Sequence, residues 1–412
     1  NDHLFPELII VEPDYLVSVT AVAQCIRPTG TRSAWHVLKK FDSFVASEAT
    51  LLGNLSGQML DEEVHGLHAD YADTARRFFA DHALDFASCP IDRQSFHQNA
   101  QAQQRNLRRL SQTTFKHQLH LSGEEGVCIE PSFFCEMLGL QGRIDLMKPD
   151  GTVVVEQKSG KIDEYNRTAY PDHEIQLMLY MAMRHYAFQQ PYNRLQGYLL
   201  YSKYPLPGGL VVVNFYQKLF REAIGLRNRI VAHEYSFALN GFEGTTDMLS
   251  ADIINEKKLA TPFYFKYIQP RLDAVINPLH NLSPLEKAYY ERMMTFVYRE
   301  QLAAKVGEQE GVGNSTADLW NMPLANKKQA GNIYTDLTIT AKAKSKDING
   351  FDIITLNVPN QGEDFLPNFR LGDLVYLYSY LPSEGPDVRN SLLFKGNLIE
   401  IHTDSVTVKT VN

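Results

Sequence analysis

The segment that decides the fold spans residues 142–158 and reads GRIDLMKPDGTVVVEQK. Two apolar runs flank the Asp-Gly pair at 150–151, and such a pair between apolar runs is a strong signal for a β-hairpin. The segment therefore predicts two antiparallel strands joined by a tight turn. Asp145 interrupts the first strand, and Glu156 and Lys158 interrupt the second.

Two registers of this hairpin are possible. A two-residue turn places Asp145 opposite Glu156, whereas a three-residue loop places it opposite Val155. A slip of one residue turns every side chain to the other face. The apolar residues favour the two-residue turn, because Ile144 then shares a face with Val155 instead of lying across from Glu156.

The favoured register brings two carboxylates and an ammonium group together. Directly opposed residues have Cβ atoms about 4.5–5.5 Å apart, and Lys158 points to the same face as Glu156. Neighbouring carboxylates repel each other unless a cation lies between them, and oxygen ligands suit Mg²⁺ or Mn²⁺. The pattern predicts a metal site at which Lys158 stabilises charge. The alternative is a solvated strand face with an ion pair.

The chain has 412 residues, which predicts two or three domains. Apolar residues in 15–120 recur at a spacing typical of helices, and short strand-like runs follow over 127–158. Further elements are predicted as helices at 173–188 and 219–239 and strands at 197–201 and 210–215. This order predicts an α/β (α+β) core with a helical surround over residues 1–265.

The C-terminal third has a different pattern. Ser283-Pro284-Leu285-Glu286 is a helix start, with Ser at the cap, Pro first and Glu third. We expect this helix to run to about Gly307 within a helical stalk at 266–325, with a flexible break at 311–315. Strand-like runs at 337–340, 353–356, 374–378, 392–401 and 406–408 predict a small β-barrel over 326–412.

Charge and cysteine content narrow the function classes. The formal net charge of −8 excludes a uniformly basic nucleic-acid coat, but 93–123 and 175–221 contain no acidic residue. The basic residues expected to contact a DNA backbone there are Arg105, Arg108, Arg109 and Lys203. A solvated helix face and a buried sheet are the alternatives.

The four cysteines form no C-x-x-C pair. We therefore expect reduced thiols in a cytoplasmic protein, without a membrane partner.

The hairpin resembles the PD-(D/E)XK nuclease superfamily, and specifically its RecB-like branch. The resemblance implies a restriction-endonuclease-like core that binds Mg²⁺ or Mn²⁺ through Asp145, Glu156 and the Gln157 carbonyl, with Lys158 as the catalytic lysine. The branch adds a Q-x-x-x-Y helix, which matches Gln176 and Tyr180 here. The flanking residues Arg143 and Lys161 are expected to support the motif and position DNA.

Two departures from the branch concern its ligands. A G-x-x-x-H helix usually supplies a histidine to the metal, but the matching run starting at Gly53 carries Gly57 at that place. Several relatives also bind an iron–sulfur cluster through one early and three late cysteines. Cys25 looks like the early one, but no cysteine follows Cys135. We therefore expect no cluster.

The segment FRLGDLV at 369–375 resembles a stretch in the barrels that precede superfamily 1 helicase motors. The combined order is similar to the DNA replication ATP-dependent helicase/nuclease family, which acts in DNA replication and repair. No P-loop occurs in these residues. The resemblance implies the nuclease region of a nuclease–helicase whose motor lies beyond residue 412 and which acts on single-stranded or flap DNA. A catalytically degenerate nucleic-acid-binding module, or a metal enzyme acting on small molecules, remains as an alternative.

Overall fold

A computed structural model describes residues 6–42, 46–123, 126–163, 166, 168–307, 315–345 and 351–410. The break predicted at 311–315 lies outside these residues except for Ser315. The strands are β1 (Val17–Ser18), β2 (Ile26–Arg27), β3 (Gly30–Thr31), β4 (Cys128–Ile129), β5 (Ser132–Cys135), β6 (Leu140–Arg143), β7 (Leu146–Met147), β8 (Val153–Lys158), β9 (Gln196–Tyr201), β10 (Leu210–Val213), β11 (Thr338–Ala343), β12 (Ile353–Asn357), β13 (Leu374–Leu377), β14 (Phe394–Ile401) and β15 (Ser405–Thr410).

The helices are α1 (Val19–Ala23), α2 (Ala34–Phe41), α3 (Glu48–Val64), α4 (Tyr71–Asp81), α5 (Ala83–Ser88), α6 (Arg93–Leu110), α7 (Pro171–Phe188), α8 (Gln217–Leu239), α9 (Thr245–Met248), α10 (Ala251–Ile254), α11 (Gln269–His280), α12 (Pro284–Val306), α13 (Asp318–Asn321) and α14 (Leu324–Gln329). A π-helical stretch over Ser111–Leu119 continues α6. No helix in the described part of the chain combines the length and apolar character needed to cross a membrane.

The central sheet has the strand order β10-β9-β8-β7-β4. Its β7–β8 hairpin pairs Leu146 with Val155, so the two-residue register is confirmed and position 145 lies across from Glu156. Side chains of β8 alternate between two cores. Val155 packs with residues of α3 and α6, whereas Val154 packs with residues of α7. The sheet therefore lies between these two helical layers.

Helix α7 connects β8 to β9, which run parallel, as a crossover between parallel strands usually does. It starts with Pro171 at its first position and carries Asp172 and Glu174 in its first turn, which suits the positive end of the helix. Most of its residues from Ile175 to Arg184 are buried. This burial fixes the helix against β8 and thereby positions its polar side chains.

One long helical region differs from the sequence prediction. The spacing over 61–87 is typical of helix throughout, but α3 ends at Val64 and α4 begins at Tyr71. Gly66 adopts a left-handed φ of 72°, a conformation that terminates helices. The chain therefore turns between α3 and α4, and the two helices pack against each other as separate elements.

The helices after residue 265 share a core with the helices that precede them. Ser283 and Glu286 form the predicted capping box of α12, and the helix ends before Gly307. Tyr298 of α12 is buried and stacks on Phe242 at 5.6 Å with planes 15° apart. Residues of α2, α8, α11 and α12 form this common core, so the predicted stalk lies against α8. The domain boundaries at 265 and 325 stay predictions.

The C-terminal strands form one antiparallel sheet in the order β11-β12-β15-β14-β13. This differs from the predicted barrel, because within the described residues β11 and β13 are edges that do not pair with each other. Closure requires hydrogen bonds between the outermost strands, but β11 is exposed along its length and β13 has four residues. The C-terminal sheet contacts the N-terminal part of the chain at β5, where the Leu393 N–H donates to the Ser132 carbonyl at 2.8 Å.

A buried carboxylate joins α8 to α2 and to the segment before β1. Lys40 Nζ donates to both oxygens of Glu234 at 2.6 and 2.7 Å, Tyr15 donates its hydroxyl at 2.7 Å, and His36 Nε2 lies 3.1 Å away. Burial alone would raise the pKa of Glu234. The hydrogen bonds from His36 and Lys40 and the charge of Lys40 outweigh it and lower the pKa to about 2.

Glu234→Gln should lower the free energy of unfolding at neutral pH by about 3–5 kcal/mol, because it leaves the Lys40 ammonium without its counter-charge. The carboxylate's contribution is present above the ordinary glutamate pKa and is lost as the pH falls from about 4 towards 2. Urea unfolding of parent and variant should therefore give values that converge in acid. Glu222→Gln, at an exposed position of the same helix, is the control. A constant difference at every pH would contradict the assignment.

Candidate active site

The site begins where the β7–β8 ladder stops. Because β7 ends at Leu146 on this side, the Gln157 N–H has no strand partner there and donates to Asp145 Oδ2 at 2.7 Å. In an extended strand the N–H and the carbonyl of one residue point to the same edge. The Gln157 carbonyl therefore also points to the edge on which Asp145 lies.

Glu156, Lys158 and Gln176 form a closed triangle of hydrogen bonds. Lys158 Nζ donates to Glu156 Oε1 and to Gln176 Oε1, each at 2.9 Å, and Gln176 Nε2 donates to Glu156 Oε1 at 2.7 Å. The side chains of Glu156 and Lys158 are 6% and 18% exposed. Glu156 Oε2 is buried and has no hydrogen-bond partner in the described structure. One carboxylate oxygen is thus available to a cation.

Tyr180 supports the triangle from one turn further along α7. Gln176 Nε2 lies 3.4 Å from its hydroxyl. Its ring occupies the space above Gly142 of β6, where an added Cβ would come within 2.5 Å of Tyr180 Cε1. A side chain at 142 would therefore displace Tyr180, which explains why a glycine occupies this position.

The protonation equilibria of the site reflect its crowding. Burial, followed by the nearby Asp145 charge, raises the pKa of Glu156 to about 8, although Lys158 lowers it. Burial also raises the pKa of Asp145, against the hydrogen bond from the Gln157 N–H and the charges of Lys158 and Arg143. Both carboxyl groups are therefore costly to ionise without a cation beside them.

Two acidic residues that the sequence analysis did not select belong to the same environment. Asp61 of α3 has its pKa raised well above the usual value by burial and by Glu130 and Asp145. Glu130 pairs with Arg143 at 2.9 Å. The sequence could have indicated Asp61 through its position, because it follows Gly57 by four residues and so lies on the same face of α3. No comparable signal pointed to Glu130.

The α3 face that carries Asp61 has open space at Gly57. A Cβ added at Gly53 would lie 3.2 Å from Ser159 Oγ, whereas one added at Gly57 would meet nothing within 4 Å. Ser56 accepts a hydrogen bond from Gln157 Nε2 at 2.7 Å and so fixes α3 against β8. The structure thus places Gly57 on the helix that packs over β8, with room for a larger side chain.

His173 is another neighbour that the sequence analysis missed. Its Nδ1 lies 2.9 Å from the Tyr201 hydroxyl, and Tyr201 is the register partner of Lys158 in β9. Burial, with a smaller effect from Lys158, lowers the pKa of His173 to about 4. A neutral imidazole thus lies near the lysine. Its signal was its position three residues before Gln176, on one face of α7.

The basic candidates fall into two groups. Arg105, Arg109 and Lys203 are exposed, and Lys161 is exposed three residues beyond Lys158. Arg108 belongs to the second group, because its guanidinium donates to Glu63 Oε1 at 2.8 Å and to the Ala69 carbonyl at 2.9 Å. These bonds tie α6 to α3 and occupy the group that was expected to contact DNA.

The donor set at the site fits a hard divalent cation. Within the described ranges, no group of three or more His, Cys, Asp or Glu side chains is arranged to hold a metal ion. The unpartnered Glu156 oxygen, Asp145 and the Gln157 carbonyl offer oxygen donors of the kind that Mg²⁺ and Mn²⁺ accept, with water completing the shell. Cys25 is buried, and its thiol donates to the Ala21 carbonyl.

A family model described as the PD-(D/E)XK nuclease superfamily matches residues 38–254. No curated protein is significantly similar to the chain. The match extends from α2 to the end of α10 and so includes the hairpin and the Q-x-x-x-Y helix. It covers more than half of the 412 residues. The chain therefore belongs to the PD-(D/E)XK nuclease superfamily.

Proposed function

We propose that this protein is a metal-dependent nuclease that hydrolyses phosphodiester bonds in DNA, with single-stranded or flap DNA as substrate. One observation carries the proposal: Glu156 Oε2 is buried and has no hydrogen-bond partner among the described residues. The other oxygen of the same carboxylate accepts from Lys158, and burial, with the nearby Asp145 charge, raises the pKa of Glu156. Buried side-chain oxygens usually have a hydrogen-bond partner, and a cation bound at this position would supply a partner for Glu156 Oε2.

Asp145, Glu156 and the Gln157 carbonyl would hold the ion. When bound, Mg²⁺ or Mn²⁺ polarises a phosphoryl oxygen and lowers the pKa of a water molecule. Lys158 contributes a fixed positive charge, because Glu156 and Gln176 hold its ammonium group in place. It stabilises the charge that develops on the phosphate, or orients the attacking water.

Gln176 acts as a positioning residue. Its amide oxygen accepts from Lys158 while its amide nitrogen donates to Glu156, so one side chain sets the separation of the two. Arg105, Arg109 and Lys203 supply exposed positive charge for the phosphates of the strand, and binding through such contacts weakens with salt.

The attachment to a helicase motor stays a prediction from the resemblance at 369–375. A second candidate function is a binding module without catalysis, and Gly57 in place of the family histidine favours it. Both candidates predict nucleic-acid binding, and only the nuclease predicts metal-dependent cleavage.

Lys158→Ala should reduce cleavage of labelled single-stranded DNA in Mg²⁺ or Mn²⁺ by about a hundred-fold or more. Its affinity for DNA in EDTA should stay near that of the parent, because one cation among many contributes little. Asp145→Asn should abolish cleavage and also weaken metal binding. Lys342→Ala, at an exposed position of β11, is the matched control. If both site variants cut as fast as the parent, the activity belongs elsewhere.

Gly57→His should tighten Mn²⁺ binding, because it adds a nitrogen donor at a position with room for a side chain. We expect weak affinity in the parent, because Asp145, Glu156 and the Gln157 carbonyl would offer the ion only oxygen donors. Calorimetric titration of Mn²⁺ into parent, Gly57→His and Gly57→Ala measures the effect. The alanine variant changes helix propensity alone. Equal affinity in the two folded variants would show that residue 57 does not reach the metal.

A further inference from the structure

A cavity of about 710 Å³ lies between α4, α5 and the first half of α6. Its volume is within the range of pockets that hold small organic groups. None of the residues described at the active site lines it. The superfamily site therefore leaves this cavity unexplained.

Three aromatic rings form a row along the cavity wall. The Phe79 and Phe86 rings are 4.1 Å apart with planes at 34°, and the Phe79 and His97 rings are 5.4 Å apart at 40°. All three side chains are only partly buried. Tyr71 holds the imidazole in place, since its hydroxyl lies 2.7 Å from His97 Nδ1. Partly exposed aromatic rings in such a row can stack with another planar ring.

Polar groups lie at the same cavity. Arg76 and Arg93 line it and are exposed. Arg76 is paired with Asp73 at 3.1 Å, whereas Arg93 makes no ion pair with any described residue. His97 Nε2 likewise has no hydrogen-bond partner within the described residues. A ligand that combines a planar ring with an anionic group matches this combination of aromatic wall, guanidinium groups and imidazole nitrogen.

Helix α6 links the cavity to the catalytic strand. In its second half Gln103 Nε2 donates to the Ser159 carbonyl at 3.5 Å, just past Lys158, and Asn106 Nδ2 donates to the Ser202 carbonyl at 3.0 Å. Arg93 and Gln103 are about 15 Å apart along the helix at about 1.5 Å per residue. A strand of nucleic acid covers that distance in a few nucleotides at about 3.4 Å or more each.

The exposed face of α6 carries positive charge between the two ends. Successive residues of a helix are rotated by about 100° around its axis. Viewed along the axis of α6, Arg105 therefore lies between His97 and Asn106. His97 lines the cavity, and Asn106 contacts the end of β9. Arg105 and Arg109 are exposed, and α6 contains no acidic residue. A phosphate backbone that crosses this face thus meets no opposing charge from α6.

We propose that this cavity binds an unpaired base of the nucleic-acid strand whose scissile phosphate lies at Glu156 and Lys158. The base stacks on the row formed by Phe79, Phe86 and His97, and Arg93 contacts the adjacent phosphate. The inference rests on the proposed function and extends it, because it assigns an element that selects single-stranded substrate. A base-paired nucleotide cannot present its flat face to the row without leaving the duplex stack.

The test compares two fluorescein-labelled probes in EDTA by anisotropy: oligothymidylate, and an oligomer of equal length whose internal nucleotides are abasic. The parent should bind oligothymidylate about tenfold more tightly, because stacking one base on an aromatic side chain typically gives such a factor. Phe79→Leu keeps an apolar side chain but removes the ring. It should abolish this preference and leave the affinity for the abasic oligomer unchanged.

Arg93→Glu should weaken binding of both oligomers. A glutamate suits the first position of α6, so the variant should fold. Arg292→Glu, which reverses charge at an exposed position of α12, should bind both oligomers as the parent does.

Equal binding of the two oligomers by the parent, or a base preference that survives in Phe79→Leu, would overturn the cavity assignment even if the parent cleaves DNA. A preference that depends on Phe79 without any cleavage in Mg²⁺ or Mn²⁺ would support the cavity and refute the nuclease. Absence of binding to either oligomer would refute both.

Discussion

The hydrogen bond from the Gln157 N–H to the Asp145 carboxylate is the contact on which the site depends. It exists because β7 ends at Leu146, so the Gln157 N–H of β8 has no strand partner on this side. A side chain therefore takes the place of a strand carbonyl. The same bond fixes the hairpin register beyond Leu146 and points Asp145 at the edge where Glu156 and Lys158 emerge. The geometry of the site is thus a direct product of how this hairpin ends.

The second constraint is charge. Asp61, Glu130, Asp145 and Glu156 crowd one edge of the sheet, and burial raises the pKa of each of them. Lys158 and Arg143 compensate only part of this charge. Fold stability alone would favour fewer carboxylates here, since uncompensated buried charge is costly. Sites that hold metal ions are the usual setting in which such a cost is offset.

Local patterns predicted what depends on neighbours in sequence. The hairpin register predicted around Asp150 and Gly151 is confirmed, although Ile144 lies in the core that contains Val154 and not, as expected, with Val155. The Ser283 capping box gave the correct start of α12. The i, i+4 spacing placed Gln176 and Tyr180 on one face of α7, and the structure brings Gln176 to Glu156.

Features that depend on tertiary packing were missed. Asp61 and His173 join the site only because α3 and α7 pack over opposite faces of the sheet. Glu130 joins it because β4 pairs with β7, which brings the Glu130 N–H to the Asp145 carbonyl. In the sequence alone Arg108 has no visible partner, because Glu63, with which it pairs, lies 45 residues earlier in the chain. The number of C-terminal strands could not reveal whether the sheet closes, since closure depends on pairing between its first and last strands.

The core shared by α8 and α12 has a practical consequence for dissecting the protein. Residues 38–254 carry the superfamily match, yet Phe242 of that region packs on Tyr298, beyond it. A polypeptide truncated after residue 265 would expose to water the apolar surface of α2 and α8 that α11 and α12 cover. Exposed apolar patches of this kind promote self-association. The smallest fragment that stays monodisperse is therefore longer than the catalytic motif requires, and must include α12.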